Sequence, residues 1–242
     1  VGTKESVSAL SRKQLLEYMK SQYVGSNTVV CVAGNVRENE VATKARKLFS
    51  GISNTKAREK APVTQNQTKP ALAVEYRKID QSNIALGVRG YNLRHPMRHA
   101  QYLLATSLGG MMSSRLWLSI REKMGLAYYV STASECNPDT GNLVTAAGIK
   151  NGSVEKAVQT ILLEYQKVKR TKLPKNELQK AKDNEKGKLA LQLESSDAKA
   201  HFYGMQELLQ GTLLTPEQLY DKIDRIGAED VQKVAQDIFR PE

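Results

Sequence analysis

Two runs that read as strands, Leu126 to Ser134 and Leu143 to Ile149, flank the segment CNPDTGN. Pro, Asp, Asn and Gly reverse a chain, through a fixed φ, side-chain bonds to the local backbone and tolerance of positive φ. The two runs are therefore predicted to form an antiparallel hairpin with one apolar face. That face has to be covered, which commits the chain to a layered fold around an antiparallel sheet.

The flanking segments supply the cover. Ser11 is placed as the N-cap of a helix with the face Leu15, Met19 and Tyr23. Residues 28–33, β-branched and apolar and closed by Gly34-Asn35, predict a buried strand in which Cys31 is a small buried hydrophobe. A helix with Val41, Ala45, Leu48 and Phe49 stops near Gly51, and the polar stretch 53–70, with Pro62 and Pro70 and no apolar period, reads as a linker. Leu72, Val74 and Tyr76 alternate as one strand and Ile84, Leu86 and Val88 as another, joined through residues 80–83. Pro96 opens a helix with the face Ala100, Leu103, Leu104 and Leu108, ending at Gly109-Gly110. A short helix over 114–123 turns Leu116, Ile120 and Met124 inward, with Trp117 as a packing residue. After the hairpin come a helix carrying Val154, Val158, Ile161, Leu162 and Tyr165 and another opened by Pro174 that breaks near 194–196. The sum is an α+β fold, an antiparallel sheet covered on one side by helices. A parallel nucleotide-binding sheet is excluded, because strand–helix crossovers and a glycine-rich phosphate loop are both missing.

Charge and cysteine content remove other classes. The formal net charge of +11 invites nucleic acid as a partner, but the basic residues between 150 and 188 are interspersed with Glu155, Glu164, Glu177 and Glu185 at helical spacing, the pattern of a solvated helix face. A basic nucleic-acid-binding domain is the remote alternative, and no nucleic-acid partner is expected. Cys31 and Cys136 are too few for a disulfide framework and are not spaced as a zinc knuckle. No stretch approaches the roughly 18 apolar residues of a membrane span. The start at Val1-Gly2 predicts an internal piece of a longer chain, so compartment stays open, bacterial periplasm and cytoplasm alike.

An internal repeat adds to this. At a constant offset of 216, Leu10, Leu15 and Tyr23 match Ile226, Val231 and Phe239, and SRKQ matches GAED. In the first copy the helix leads into TVVCVAG; in the second the chain reaches Pro241-Glu242 where that strand is due. Two homologous domains are predicted: residues 1–53 as the tail of the first, 54–70 as linker, and 71–242 as the second without its last strand.

The segment 109–130, GGMMSSRLWLSIREKMGLAYYV, resembles the signature of the second, metal-free domain of pitrilysin/insulinase-type zinc metallopeptidases, relatives of mitochondrial processing peptidases. GTKES, VAGNV, DTGNLV and the block from NELQKAKDNEKGKLALQ to MQELLQG look like the corresponding family segments, so the resemblance covers essentially the whole chain. It implies a LuxS/processing-peptidase-like metallohydrolase fold and a proteolytic role. It implies that Arg121 and Tyr128, seven residues apart in R-x-x-x-G-L-A-Y, contact the substrate near the scissile bond across a closed chamber. A guanidinium and a phenol both donate hydrogen bonds, to a peptide carbonyl or to the charge that develops on it. Gly125 would let the backbone turn between them, and Gly109, Gly110, Ser113 and Ser114 are the accompanying substrate-binding candidates. Apart from the resemblance, Arg121 is also a cation at a helix C-terminus and Tyr128 a strand aromatic. Regular strand alternation puts Tyr129 on the face opposite Tyr128.

The family's zinc motif H-x-x-E-H is not in this sequence, whose histidines are His95, His99 and His201. His95 and His99 share the i, i+4 spacing of a metal pair, but Pro96 intervenes and no glutamate falls between them, so no metal ligands are expected; His201 reads as a helix-face residue. The resemblance puts zinc in another domain or subunit, and makes that partner and a peptide or protein substrate the binding partners, with a homo-oligomer left open. The competing reading is a non-catalytic scaffold or peptide-binding member, as in respiratory complexes.

Overall fold

The computed structural model describes residues 2–241. The chain clusters into two compact units, one of Val63–Leu191 with Thr215–Glu242 and one of Val1–Pro62 with Gln192–Leu214.

The first of these holds the sheet. Strands β1 (Gln81–Gly90), β2 (Ala127–Cys136) and β3 (Gly141–Lys150) are antiparallel in the order β1-β3-β2, and β2 and β3 form the hairpin that the turn residues predicted. On one face Val88, Leu86 and Ile84 lie opposite Leu143, Thr145 and Ala147, with Ser134, Thr132 and Val130 on the other side of β3. Helices α4 (Arg98–Ala105), α5 (Val154–Arg170) and α9 (Ala228–Ile238) pack over that face. They contribute Leu103, Leu104, Ala157, Ile161, Val231 and Val234 to one contiguous buried core. Full burial of a side chain such as Ile161 stabilises the fold by about 2–3 kcal/mol.

The core contains two polar linkages. The hydroxyls of Thr132, Thr145 and Tyr165 form a chain at 2.7 and 2.6 Å, and burial pushes the Tyr165 phenol up to about 12, so it stays neutral. Gln101, fully buried on α4, accepts from the Tyr91 amide at 2.8 Å and donates to Ser134 Oγ at 2.6 Å, pinning that helix to the ends of β1 and β2.

In the other unit, α1 (Lys4–Ser8), α2 (Arg12–Gln22), α3 (Glu38–Leu48) and α7 (Ser196–Gln210) are the α-helices. Helix α6 (Lys175–Gln192) begins in the sheet unit, and the break expected near 194–196 is there, with Ser195 as N-cap of α7.

Several local features recur at the offset of 216. Helices α2 and α9 begin and end 216 residues apart, and in both the N-cap amide donates to the side chain three residues on, Ser11 to Gln14 and Gly227 to Asp230. Their C-caps, Tyr23 (φ −88°, ψ 66°) and Phe239 (φ −84°, ψ 74°), have one geometry. The helices before them also match: α1 and α8 (Pro216–Asp224) close with Leu10 N–H on Val7 O and Ile226 N–H on Ile223 O, both 3.2 Å.

Two strand expectations are corrected. Residues 28–33 and 72–76 join no ladder among the described residues. Val29, Val30 and Val32 are 40–49% exposed, Leu72, Val74 and Tyr76 83–89% exposed, and Cys31 is exposed rather than buried. Apolar alternation expresses a preference for pairing, but a strand exists only where a second backbone completes its hydrogen bonds. Helical boundaries shift too. The helix at Pro96 starts at Arg98 and widens into a π-helical turn at Thr106–Gly110, and a second π-helical stretch, Trp117–Lys123, replaces the expected regular helix.

Candidate functional site

The segment 109–130 runs from the first π-helical turn through the second and into β2. Gly109 is buried against β2, where a Cβ would lie 2.4 Å from Thr132 Oγ1 and 2.5 Å from its backbone nitrogen. Only glycine allows this approach. Helix α6 holds the turn from the other side: Thr106 Oγ1 donates to Glu185 at 2.7 Å and Lys188 Nζ to the Gly110 carbonyl at 3.1 Å.

The chain then opens outward. Met112 and Ser113 are exposed, whereas Ser114 is 1% exposed and its hydroxyl has no hydrogen-bond partner among the described residues. Arg115 anchors the next turn through a two-pronged pair with Glu177, at 2.6 and 2.9 Å, with Glu164 at 3.8 Å. The bonds from Glu177 hold the Arg115 guanidinium above its usual range.

One helical turn further, Arg121 lies over Trp117, its Cζ 4.1 Å from the ring centroid, a cation–π contact that orients the guanidinium without consuming its hydrogen-bond donors. Among the described residues Arg121 makes no ion pair, and it and Tyr128 make no hydrogen bond to each other. Gly125 ends the helix at φ +60°, in the left-handed region, and the Leu126 amide bonds back to the Ile120 carbonyl at 3.0 Å.

Tyr128 occupies an irregularity. The register passes from Ala127 opposite Ile149 to Tyr129 opposite Gly148, leaving Tyr128 as an extra residue in a β-bulge. The regular pleat behind the opposite-face expectation is interrupted there, and both tyrosines are exposed, 62% at Tyr128 and 41% at Tyr129. The Tyr129 ring fills the space over Gly148 and its hydroxyl donates to Asn83 Oδ1 at 3.2 Å, whereas Tyr128 has no hydrogen-bond partner among the described residues.

Sequence reading passed over the outer sheet face that begins at Tyr129. Ala85 and Ser131 flank Ala146, and Gly87 and Ala133 flank Val144, so three strands present small side chains in a low-relief surface. The signal was in the sequence, as small residues alternating with the core positions.

Among the described residues His95 and His99 are spent on other contacts. His95 stacks on Tyr91 at 3.7 Å and its Nδ1 accepts from the Met97 amide. Burial, with Arg98 and Lys222 nearby, pushes the His99 imidazole down to about 4, and its Nε2 is buried without a partner. Among the described residues no three His, Cys, Asp or Glu side chains could hold one ion, so the donor set does not fit the family's zinc. No helix among them is long and apolar enough to cross a membrane.

Comparison with known proteins agrees with the motif. An uncharacterized zinc protease of Mycobacterium leprae is 33% identical over 99% of this chain and 54% of its own length. The fold is that of a protease from Helicobacter pylori (TM-score 0.85, 23% identity, 99% of this chain and 59% of that one). It is also that of a chain in complex III2 from Candida albicans (TM-score 0.86, 22% identity, 98% and 58%). The chain thus spans about half the length of the relatives it matches. Residues 9–185 match the peptidase M16 inactive domain, and the chain belongs to that family of zinc proteases.

Proposed function

We propose that this chain is the substrate-binding, non-zinc-binding half of a zinc metalloendopeptidase acting on peptides or unfolded proteins. Its residues 1–53 would belong to a first family domain and 71–242 to the second. The observation that carries the reading is the pair Arg121 and Tyr128: one guanidinium steered by Trp117 with its donors unspent, and one exposed phenol on a bulge, separated by the Gly125 turn. Both can donate to a peptide carbonyl and more strongly to the oxyanion formed when it is attacked. Zinc and the general base would come from the other domain or subunit. The low-relief sheet face supports the reading, since an extended peptide can lie across small side chains without displacing them. Gly109 and Gly110 would shape the neighbouring wall, with Ser113 the exposed serine beside it. Ser114, being buried, serves that wall from behind.

A scaffold role is the second reading, favoured by the fold shared with a chain of a respiratory complex. Peptidase assays separate the two. This chain alone, with zinc added, should cleave nothing, and the full-length protein or the chain combined with its zinc-bearing partner should cleave an unstructured peptide. A full-length protein that binds zinc yet cleaves no peptide would favour the scaffold.

A further inference from the structure

Two pairs of residues on the core side of the hairpin, Ala127 opposite Ile149 and Val130 opposite Ala147, bracket an inequality: two residues of β2 stand against one of β3. The two are Tyr128 and Tyr129, and the one is Gly148. Either tyrosine can lie opposite Gly148 with both core pairs kept, leaving the other as the surplus residue of the bulge. The two side chains are identical, so they compete for one place.

That place is a built seat. Asn83, Gly148 and Tyr129 form one row across the outer face of the sheet. The Tyr129 ring lies directly over Gly148, where a Cβ would come within 2.5 Å of ring atom Cε1, and its hydroxyl donates to Asn83 Oδ1 at 3.2 Å. Gly148 is buried, whereas Val144 and Ala146 on the same face are half-buried, because the ring covers it. Asn83 Oδ1 also accepts from Gln81 Nε2 at 3.0 Å. The start of β1 is braced in turn: Ser82 Oγ donates to Asn151 Oδ1 at 2.8 Å, and Asn151 Nδ2 to the Ile79 carbonyl at 3.1 Å. The acceptor is thus held in position for whichever phenol takes the seat. With Tyr129 in it, Tyr128 is 62% exposed and without a hydrogen-bond partner among the described residues.

We propose that Tyr129 is a positioning residue: by occupying the seat over Gly148 and Asn83 it excludes Tyr128, and so keeps the Tyr128 phenol available to substrate. The proposal rests on the assignment of Tyr128 to substrate made above. If the seat is vacated, Tyr128 should fall into it and be lost to the reaction. If the seat is also closed by a side chain at position 148, Tyr128 should stay out.

The test uses the full-length protein. Tyr129→Ala should lower kcat about 10-fold with KM changed less than about twofold. Its crystal structure should show the Tyr128 ring over Gly148. Adding Gly148→Ala should restore kcat to within about threefold of the parent, since the new methyl fills the seat once the Tyr129 ring is gone. A second lesion that rescues the first is not the behaviour of a residue needed only for stability. A Tyr128 ring still in solvent in Tyr129→Ala would overturn the proposal, as would a lowered kcat that Gly148→Ala does not rescue. Tyr128→Phe measured alongside separates the two claims. Unchanged turnover in that variant removes Tyr128 from the site, and the position of the Tyr128 ring in Tyr129→Ala then decides the seat by itself. Should Tyr129→Ala fail to fold, Tyr129→Thr, with its higher strand propensity, serves with the same outcomes.

Discussion

Gly109 packs against Thr132 so closely that the space for a Cβ is already taken by the threonine hydroxyl and by the backbone of β2. Backbone cannot swing aside as a side chain does. Gly109→Ala should therefore force the Thr106–Gly110 turn off the strand, costing about 2–3 kcal/mol of stability. Gly110 faces only the Thr106 side chain, at 3.1 Å and beyond, and the same change there should cost less than about 1 kcal/mol. Urea unfolding of the two variants checks the difference.

The Arg115–Glu177 pair clamps the start of the Trp117–Lys123 stretch to α6. Glu177→Gln leaves the guanidinium with Glu164 at 3.8 Å as its remaining carboxylate. Removing one partner of a fully buried pair costs about 3–5 kcal/mol, and since these side chains keep 19% and 21% of their surface in water, a loss of about 2 kcal/mol is expected. Thermal melts in low and high salt measure it, and a loss that salt does little to change marks a shielded pair.

His99 gives the fold an acid-sensitive element. Its imidazole, ordinarily near 6.5, is held down to about 4 by burial and by Arg98 and Lys222, so between those values the unfolded chain takes up a proton that the folded chain refuses. Stability is therefore undiminished above pH 6.5 and falls as pH drops through 4, by about 3 kcal/mol at most. His99→Gln should flatten this part of the pH dependence. Unfolding midpoints at pH 7 and 4.5 show whether it does.

Much of this architecture was legible from residue pattern. The hairpin was readable because Pro138, Asp139 and Gly141 mark a turn between two strand-like runs. The repeat was readable because apolar positions and caps recur at one offset. Residues 28–33 and 72–76 were misread because a strand depends on a neighbour that the segment's own sequence does not encode. The π-helical turn at Gly109 and the bulge at Tyr128 lie where Gly109 packs on β2 and the Tyr129 ring covers Gly148 of β3, tertiary contacts that leave no local period. Within the motif, Arg121 and Tyr128 are proposed on resemblance alone, whereas the Trp117 ring beneath Arg121 came to light only in the fold.

That support has a measurable consequence. With the indole gone, Arg121 loses the surface that restricts its rotamers, so Trp117→Leu in the full-length protein should lower turnover severalfold with zinc content unchanged. Trp117→Phe, which keeps an aromatic face, should recover part of it. Equal activity in both variants would remove Trp117 from this role.

The proposed mechanism has two donors of this chain acting on a substrate attacked by chemistry located elsewhere. Its most direct test is peptide turnover by the full-length protein carrying Arg121→Ala or Tyr128→Phe, alongside zinc content and melting temperature. Each variant should lose about 10- to 1000-fold in kcat while binding zinc and melting as the parent does. Unchanged turnover in both would contradict the assignment.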